Sequence, residues 1–413
     1  MSFVLKVAAL ITTQILFVAQ VLALDTPRTL PKNIRTGMIS MGRYYGLNQY
    51  YTNDGELKNL ADKNSFELDA KSLTQVNAAF ADLVRVLNEF GHSSIGSQLH
   101  LGQISVVADP EVNYYAPTFA YGWTNCLTIG VAVPIISYEN SIQVTQSGSN
   151  LNSARAQLGP NLLPQIESAF TQLNSELTKG LNGTLAEKGY KPLNSKNETF
   201  LGDVVLFSAY MLDEIKPYNL KSALRFYFNL PTGPKPDADD LADLESFGRY
   251  SFRAQWLGQF ALMKKVDVIL DGSYLLVPEQ KMTKRVPISS QDVLPDSSEK
   301  YNMDEDLGDT VSSGVAVSYL HSSAVSFASG FYYQYKMKDS YSGAPNNRGR
   351  FLEEGTNKSA QILKGQVSYS TVQAYLSKKA ALPGSIDYEI SKTIAGTNVE
   401  NQTAHTLTFS LFF

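Results

Sequence analysis

Between positions 221 and 271, ionic and amide side chains recur at alternate residues, a spacing that would line one wall of a conduit with charge. Lys221 and Arg225 alternate with Leu220, Leu224, Phe226 and Phe228. Arg249, Arg253 and Gln255 alternate with Tyr250, Phe252 and Trp256, and Asp267 and Asp271 with Val266, Val268 and Leu270. Later, Lys364 and Gln366 interleave with Leu363 and Val367, and Asp387 and Glu389 with Ile386, Tyr388 and Ile390. Successive side chains of a strand point to opposite faces, so each set reads as a strand with one apolar and one wet face. A basic stripe beside an acidic pair would select among passing solutes. The same residues could equally pair with one another and fill a narrow interior that conducts nothing, and the spacing leaves both readings open.

Other chemistries find little support. A hydrolase needs a base beside its nucleophile, and His321-Ser322-Ser323 offers one only between two strand patterns, where a tight turn belongs. His92 and His100 flank a strand pattern, and His405 has no adjacent Ser. No HExxH, GxSxG or glycine-rich phosphate loop occurs. The single Cys126 excludes a disulfide framework and a cysteine zinc cluster. Acidic clusters at Asp237, Asp239, Asp240 and Asp243, and at Asp304, Glu305, Asp306 and Asp309, lack the EF-hand spacing and read as solvated loop charge. The expectation is therefore a non-enzyme without cofactor or metal. With 35 Lys and Arg against 39 Asp and Glu, no basic balance argues for nucleic acid.

The elements that must position these residues follow from the period of two. Strands are expected at 99–108, 112–122, 126–136, 199–213, 218–230, 249–262, 265–277, 311–320, 324–337, 360–376, 382–392 and 403–413. Links after the even members are short, and most after the odd members are long and polar. That asymmetry is the pattern of bacterial outer-membrane barrels, with tight periplasmic turns and longer extracellular loops. In hydrocarbon no backbone group may stay unpaired, so spanning strands must close into a barrel. The fold class expected is thus all-β, a closed antiparallel transmembrane barrel of about 12 strands (10–14) over 99–413. The final run places Leu407, Phe409, Leu411 and Phe413 on one face and Thr406, Thr408 and Ser410 on the other.

Ahead of the barrel, Met1–Lys6 is basic, Val7–Ala23 apolar and Asp25-Thr26-Pro27 polar, which reads as a signal peptide cleaved near Ala23. Residues 24–98 form an N-terminal helical segment, since Leu73, Val76, Phe80, Leu83, Val84 and Leu87 recur at helical spacing. It is expected either to plug the lumen or to hang in the periplasm, and its direct lead into the first strand argues for plugging. A second helical pattern, Leu162, Leu163, Ile166, Phe170, Leu173 and Leu177, lies in the long link 137–198, where it either folds into the mouth or lies on an extracellular loop.

The stretch Tyr115–Ile136 carries Tyr121-Gly122-Trp123-Thr124, Leu127-Thr128-Ile129-Gly130 and Val133-Pro134. It resembles a bacterial outer-membrane barrel family named for genes beside phenol-degradation (meta-pathway) genes, and in outline the long-chain fatty acid transporters. Trp123 and the length of 137–198 depart from the family's compact pattern. The resemblance implies uptake of small hydrophobic or aromatic solutes; the alternative is a surface-interaction barrel with a blocked lumen. The terminal Phe413 resembles the signal read by the barrel-assembly machinery. The other partners expected are outer-membrane lipid and lipopolysaccharide.

Overall fold

The computed structural model describes residues 26–59, 65–69, 78–159, 164–212, 214, 219–244, 246–290, 292 and 294–413. Residues 1–23, expected to be a signal peptide, lie outside them, as do Leu73, Val76, Leu162 and Leu163.

Twelve antiparallel strands close into one barrel. In chain order they are β1 Arg35–Tyr45, β2 His100–Gly122, β3 in two pieces (Leu127–Ala132 and Ile135–Ser147), β4 in two pieces (Lys196–Leu201 and Val204–Met211), β5 Lys221–Leu230, β6 Ser251–Met263, β7 Val266–Leu276, β8 Thr310–Leu320, β9 Val325–Lys336, β10 Lys358–Ser370, β11 Gly384–Thr397 and β12 Thr403–Phe412. Each pairs with its sequence neighbour, and β1 closes the ring by pairing with β12 (Thr36–Phe412 to Tyr45–Thr403) and β2 (Arg35–Tyr121 to Tyr44–Val112).

The strand number agrees with expectation, but through two compensating errors. Strands expected at 99–108 and 112–122 are one continuous β2, because Asp109-Pro110-Glu111 does not turn. Pro110 lies past the last β1 pair, Tyr44–Val112, where a missing N–H is tolerated. Conversely, Arg35–Tyr45 is a barrel strand inside the segment expected to be a helical plug, so the barrel begins at Arg35 rather than at residue 99. Its sequence hides this, since Met38 faces inward, Ile39 and Met41 face outward, and glycines sit on both faces.

Over the middle of the barrel the outside faces are apolar. On β9, Phe327, Phe331, Tyr333 and Tyr335 are exposed while Gly330 and Lys336 on the other face are buried. Leu363, Val367 and Tyr369 continue the band on β10, Ile386, Tyr388 and Ile390 on β11, and Phe409 and Leu411 on β12. Phe226 stacks on Phe252 with ring centroids 5.9 Å apart, and Phe228 on Tyr250 at 6.1 Å, both outside the wall. So much contiguous apolar surface is stable only against hydrocarbon. Strands β5–β12, 10 to 14 residues long, suit a tilted crossing of a bilayer.

The links β2–β3, β4–β5, β6–β7, β8–β9 and β10–β11 gather at one end with Arg35 and Phe413; this is the short-turn end. The other end carries the long links. There α1 (Ala78–Glu89) and α2 (Ser93–Gln98), from the β1–β2 link, pack with α3 (Leu151–Gln157) and α4 (Pro164–Glu187), from the β3–β4 link. Phe80, Leu83, Leu87, Ile166, Phe170 and Leu173 share one core with Val106 and Ala108 of β2 and Ile142 of β3. Helix 78–89 therefore does not hang from the short-turn end. With the helix from 164–187 it forms a cap over the long-loop end, resting on the inner faces of β2 and β3.

Candidate conduit and its two closures

Three layers occupy the inside of the barrel. Under the cap, Val112, Tyr114 and Ala116 of β2 and Ile136 and Tyr138 of β3 form an apolar inner wall. Leu244 and Phe247, from the β5–β6 link, insert against it. That link is stapled at both ends by Asp203, which sits in the break of β4. Its carboxylate accepts the Gly233 N–H at 2.8 Å and the Gly248 N–H at 3.1 Å. At the same level Pro134 interrupts β3, and its carbonyl accepts the Gly202 N–H at 2.8 Å.

Polar ladders form the middle layer. The Tyr227 hydroxyl donates to Gln255 Oε1 (3.3 Å), Gln255 Nε2 to Asp271 (2.6 Å), and Gln259 Nε2 to Asp267 (2.8 Å). Across β9–β11, Lys364 lies 3.6 Å from Glu389 and 4.8 Å from the Tyr332 ring centre, while Gln366 donates to Ser368 (2.9 Å) and Asp387 (3.4 Å). Ser40 and Thr408 share a hydrogen bond of 2.9 Å, and Tyr114 and Thr406 one of 3.0 Å, across β1, β2 and β12. A cation on the lipid face at mid-depth would cost about 2–4 kcal/mol, so the inward parity of these charges is the stable one.

The structure thus brings Gln255 to Asp271, Lys364 to Glu389, and Gln366 to Asp387. Arg253 takes the inward parity of β6, opposite Tyr227. Lys221 shares the inward parity of β5 but lies exposed at the short-turn rim. Arg249 precedes β6 at the opposite mouth, where it is buried against Glu305 (2.7 Å), with Lys284 on the other carboxylate oxygen (3.3 Å). Burial pushes the Glu305 carboxyl upward, but Lys284 and Arg249 outweigh it and hold it below the usual range.

Residues Thr26–Ile34 close the short-turn end as a strap along the inner face. Gly122 exchanges backbone hydrogen bonds with Asn33 and Ile34, Leu30 N–H donates to Thr128 Oγ1 (2.8 Å), and the Arg225 guanidinium donates to the Thr26 carbonyl (2.7 Å). Gly122 is required here, because a Cβ would stand 2.0 Å from the Pro31 carbonyl oxygen.

A clasp on the long-loop side joins the cap to the loops. Arg285, 3% exposed in its side chain, donates to Asp239 (2.6 and 2.9 Å) and to the carbonyls of Lys188 (2.7 Å), Gly189 (2.6 Å) and Pro295 (3.0 Å). Its guanidinium lies 3.6 Å above the Tyr190 ring centre. Lys300 binds Asp239 (2.7 Å), Lys191 binds Asp237 (2.9 Å) and Lys196 binds Asp240 (2.7 Å). The cluster at 237–243 is therefore not merely solvated loop charge, since it supplies counter-ions that fasten one loop to the next. Of the second cluster, Glu305 does the same with Arg249, while Asp304 pairs with Lys281 inside its own hairpin, Asp309 takes the Tyr274 hydroxyl and Asp306 is exposed.

The strap, the Asp203 staple and the Arg285 clasp escape sequence reasoning. None has periodicity, and their partners stand far apart in the chain. Thr406 is more accessible, since alternation alone groups it with Thr408 and Ser410 on the inner face of β12, whereas the sequence around Tyr114 does not alternate cleanly.

The chain matches no protein-family model. No curated protein matches it either. Among solved structures it is similar to an outer-membrane channel from Pseudomonas putida F1, at 12% identity over 94% of this chain and 100% of that one, with a TM-score of 0.52. It also matches the Ralstonia pickettii toluene transporter TbuX (10% identity, 93% and 90% covered, TM-score 0.32) and the β domain of the Bordetella autotransporter BrkA (9%, 92% and 100%, 0.38). Of these three, the first is close enough to bear on architecture, and at that identity it shows the fold alone.

Proposed function

We propose that this barrel sits in a bacterial outer membrane, long loops outward, and admits small hydrophobic solutes, aromatic ones included. The observation that carries this reading is the layering of the interior. An apolar inner wall, covered by Leu244 and Phe247, lies under a separately fastened cap and is followed by polar ladders and a strap that reaches the wall through the Thr26, Leu30, Asn33 and Ile34 hydrogen bonds. A greasy solute would lose water against Tyr114, Ile136, Tyr138 and Phe247, then pass hydrogen-bonding groups that favour its release. The fold likeness to an outer-membrane channel agrees with such a use.

The residues Arg225, Arg253, Gln255, Asp267, Asp271, Lys364, Gln366, Asp387 and Glu389 are assigned to the wall of the passage, with Arg249 at its mouth and Lys221 at its exit. Phe413, exposed at the end of β12, is assigned to the barrel-assembly machinery, and the outer band to lipid and lipopolysaccharide. No enzymatic step is assigned. His321 sits in the β8–β9 turn near the rings of Tyr319 and Phe327, and Ser322 Oγ accepts backbone N–H groups of Ala324 and Val325.

A second reading, a surface-interaction barrel with a blocked lumen, is favoured by one observation: Arg225, Gln255, Gln366 and Glu389 are all buried although they face inward. Planar-bilayer conductance and uptake of a small aromatic hydrocarbon separate the two. The intact chain, a variant lacking 26–33 and Arg285→Ala are compared. Flux that rises in the variants supports passage; no flux in any of the three overturns it in favour of the second reading.

A further inference from the structure

The short-turn rim is cationic in a chain whose formal net charge is −4. Lys264 and Lys265 of the β6–β7 turn, Lys378 and Lys379 of the β10–β11 link, and Lys32 and Arg35 beside the β12 terminus are all exposed. Lys265 donates to the His321 carbonyl in the intervening β8–β9 turn (3.2 Å), and strand order places the remaining positions on the next turns of the same end, an arc of the rim. Among the described residues none of the six is paired with a carboxylate. The long-loop end behaves differently, fastening Lys191, Lys196, Lys300, Lys338 and Lys358 to acidic partners. At the short-turn rim these six described cations keep their positive charge unspent.

Apolar residues accompany these cations in the chain. Leu262 and Met263 immediately precede Lys264, and Met263 is 66% exposed. A short helix, α5 (Val372–Leu376), exposes Tyr375 and Leu376 (68%) just before Lys378 and Lys379. Such pairs sit stably where hydrocarbon meets headgroups, with the apolar member below and the ammonium reaching the phosphate plane. Lys264, Lys265, Lys378 and Lys379 stand on separate turns around the barrel rim, beside exposed apolar residues, rather than gathering on one flat face. A ring of lipid fits that shape, and the face of an acidic protein does not.

We propose that this arc binds the headgroups of anionic phospholipids in the leaflet on the short-turn side, with Lys264, Lys265, Lys378 and Lys379 as its principal contacts. The proposal rests on the membrane-spanning reading above and adds a lipid class to it. Each cation near an anionic membrane surface is worth about a fivefold change in association.

The test is native mass spectrometry of the full-length protein in detergent, titrated with dioleoyl phosphatidylglycerol or dioleoyl phosphatidylcholine. The wild type should retain phosphatidylglycerol with roughly tenfold or greater preference, diminishing at raised salt. K264Q/K265Q/K378Q/K379Q should lose most of that preference while keeping heat-modifiable gel mobility, the mark of an intact barrel. K281Q/K338Q, at the other end, should keep it. Equal retention of the two lipids by the wild type, an undiminished preference in the fourfold variant, or its loss in K281Q/K338Q would each overturn the proposal. Failure of the wild type to insert into phosphatidylcholine vesicles would instead overturn the membrane reading beneath it.

Discussion

Replacing Arg285 with Ala should release the cap while leaving the barrel closed. The side chain makes five hydrogen bonds to four residues drawn from three separate links, and covers the Tyr190 ring. An acceptor left unpaired in a buried site costs about 1–3 kcal/mol, and a desolvated cation–π contact about 2. The Lys188 side is open to water, and Lys300 still holds Asp239, so the terms do not sum; about 3 kcal/mol is the reasonable loss. That is roughly a hundredfold or more in the opening equilibrium. Hydrogen–deuterium exchange on protein in lipid nanodiscs reads this directly. Amides of Leu185–Leu193 and Asp237–Leu244 should lose about two decades of protection, while β7–β11 keep theirs. Arg285→Lys should fall between, since a point charge cannot span the same acceptors. Unchanged protection at 185–193 and 237–244 would refute the clasp, and equal loss in the barrel strands would show that the cap has no separate stability.

Gly122→Ala should dislodge the strap, because its Cβ meets the Pro31 carbonyl; raised single-channel conductance, matching that of a 26–33 deletion, is the expected readout. Arg249→Leu leaves the buried Glu305 with Lys284 alone and should cost the hairpin Gln280–Asp306 about 3 kcal/mol, measured as protease sensitivity of that hairpin. The clasp should tolerate mild acid. Burial raises the Asp239 carboxyl, but hydrogen bonds from Lys300 and Arg285 outweigh it and hold it below the usual range, and the Asp239 N–H does the same to Asp237. With native values depressed, their contribution is present above the ordinary carboxylate pKa of about 4 and lost as pH falls through the lower native value. Cap protection that faded already between pH 7 and 5 would contradict this. Asp271→Asn should weaken cation preference in bilayer recordings if Gln255 and Asp271 border the path.

Much of the barrel was legible because lipid enforces a strict rule. Where one face must be greasy and the other wet, as in β5, β9 and β12, period two survives in the sequence and fixes each side chain's direction. The rule fades where lipid does not act. β1 carries glycines on both faces and an inward methionine, so its alternation is lost. The upper part of β2 and β3 rises beyond the apolar band, and outward Asp109, Glu111 and Glu139 mimic a loop. Arg43 pairs with Glu111 there at 2.6 Å. The inner wall was legible as a set of directions but not as contacts. Parity says that Arg249 and Arg253 share a side, yet only the loops decide that one meets Glu305. Helical periodicity in 78–89 and 164–187 identified the elements correctly and left open their side, which is fixed by which strand ends they connect.

The central claim is a bilayer-embedded wall whose residues face lipid and interior in turn. Nitroxide scanning from Val325 to Lys336, in a Cys126→Ser background, tests it most directly. Accessibility to oxygen over a polar nickel chelate should peak at Phe327, Phe331, Tyr333 and Tyr335 and dip at Ala328, Gly330, Tyr332 and Gln334. A flat profile, or chelate access along both faces, would contradict it.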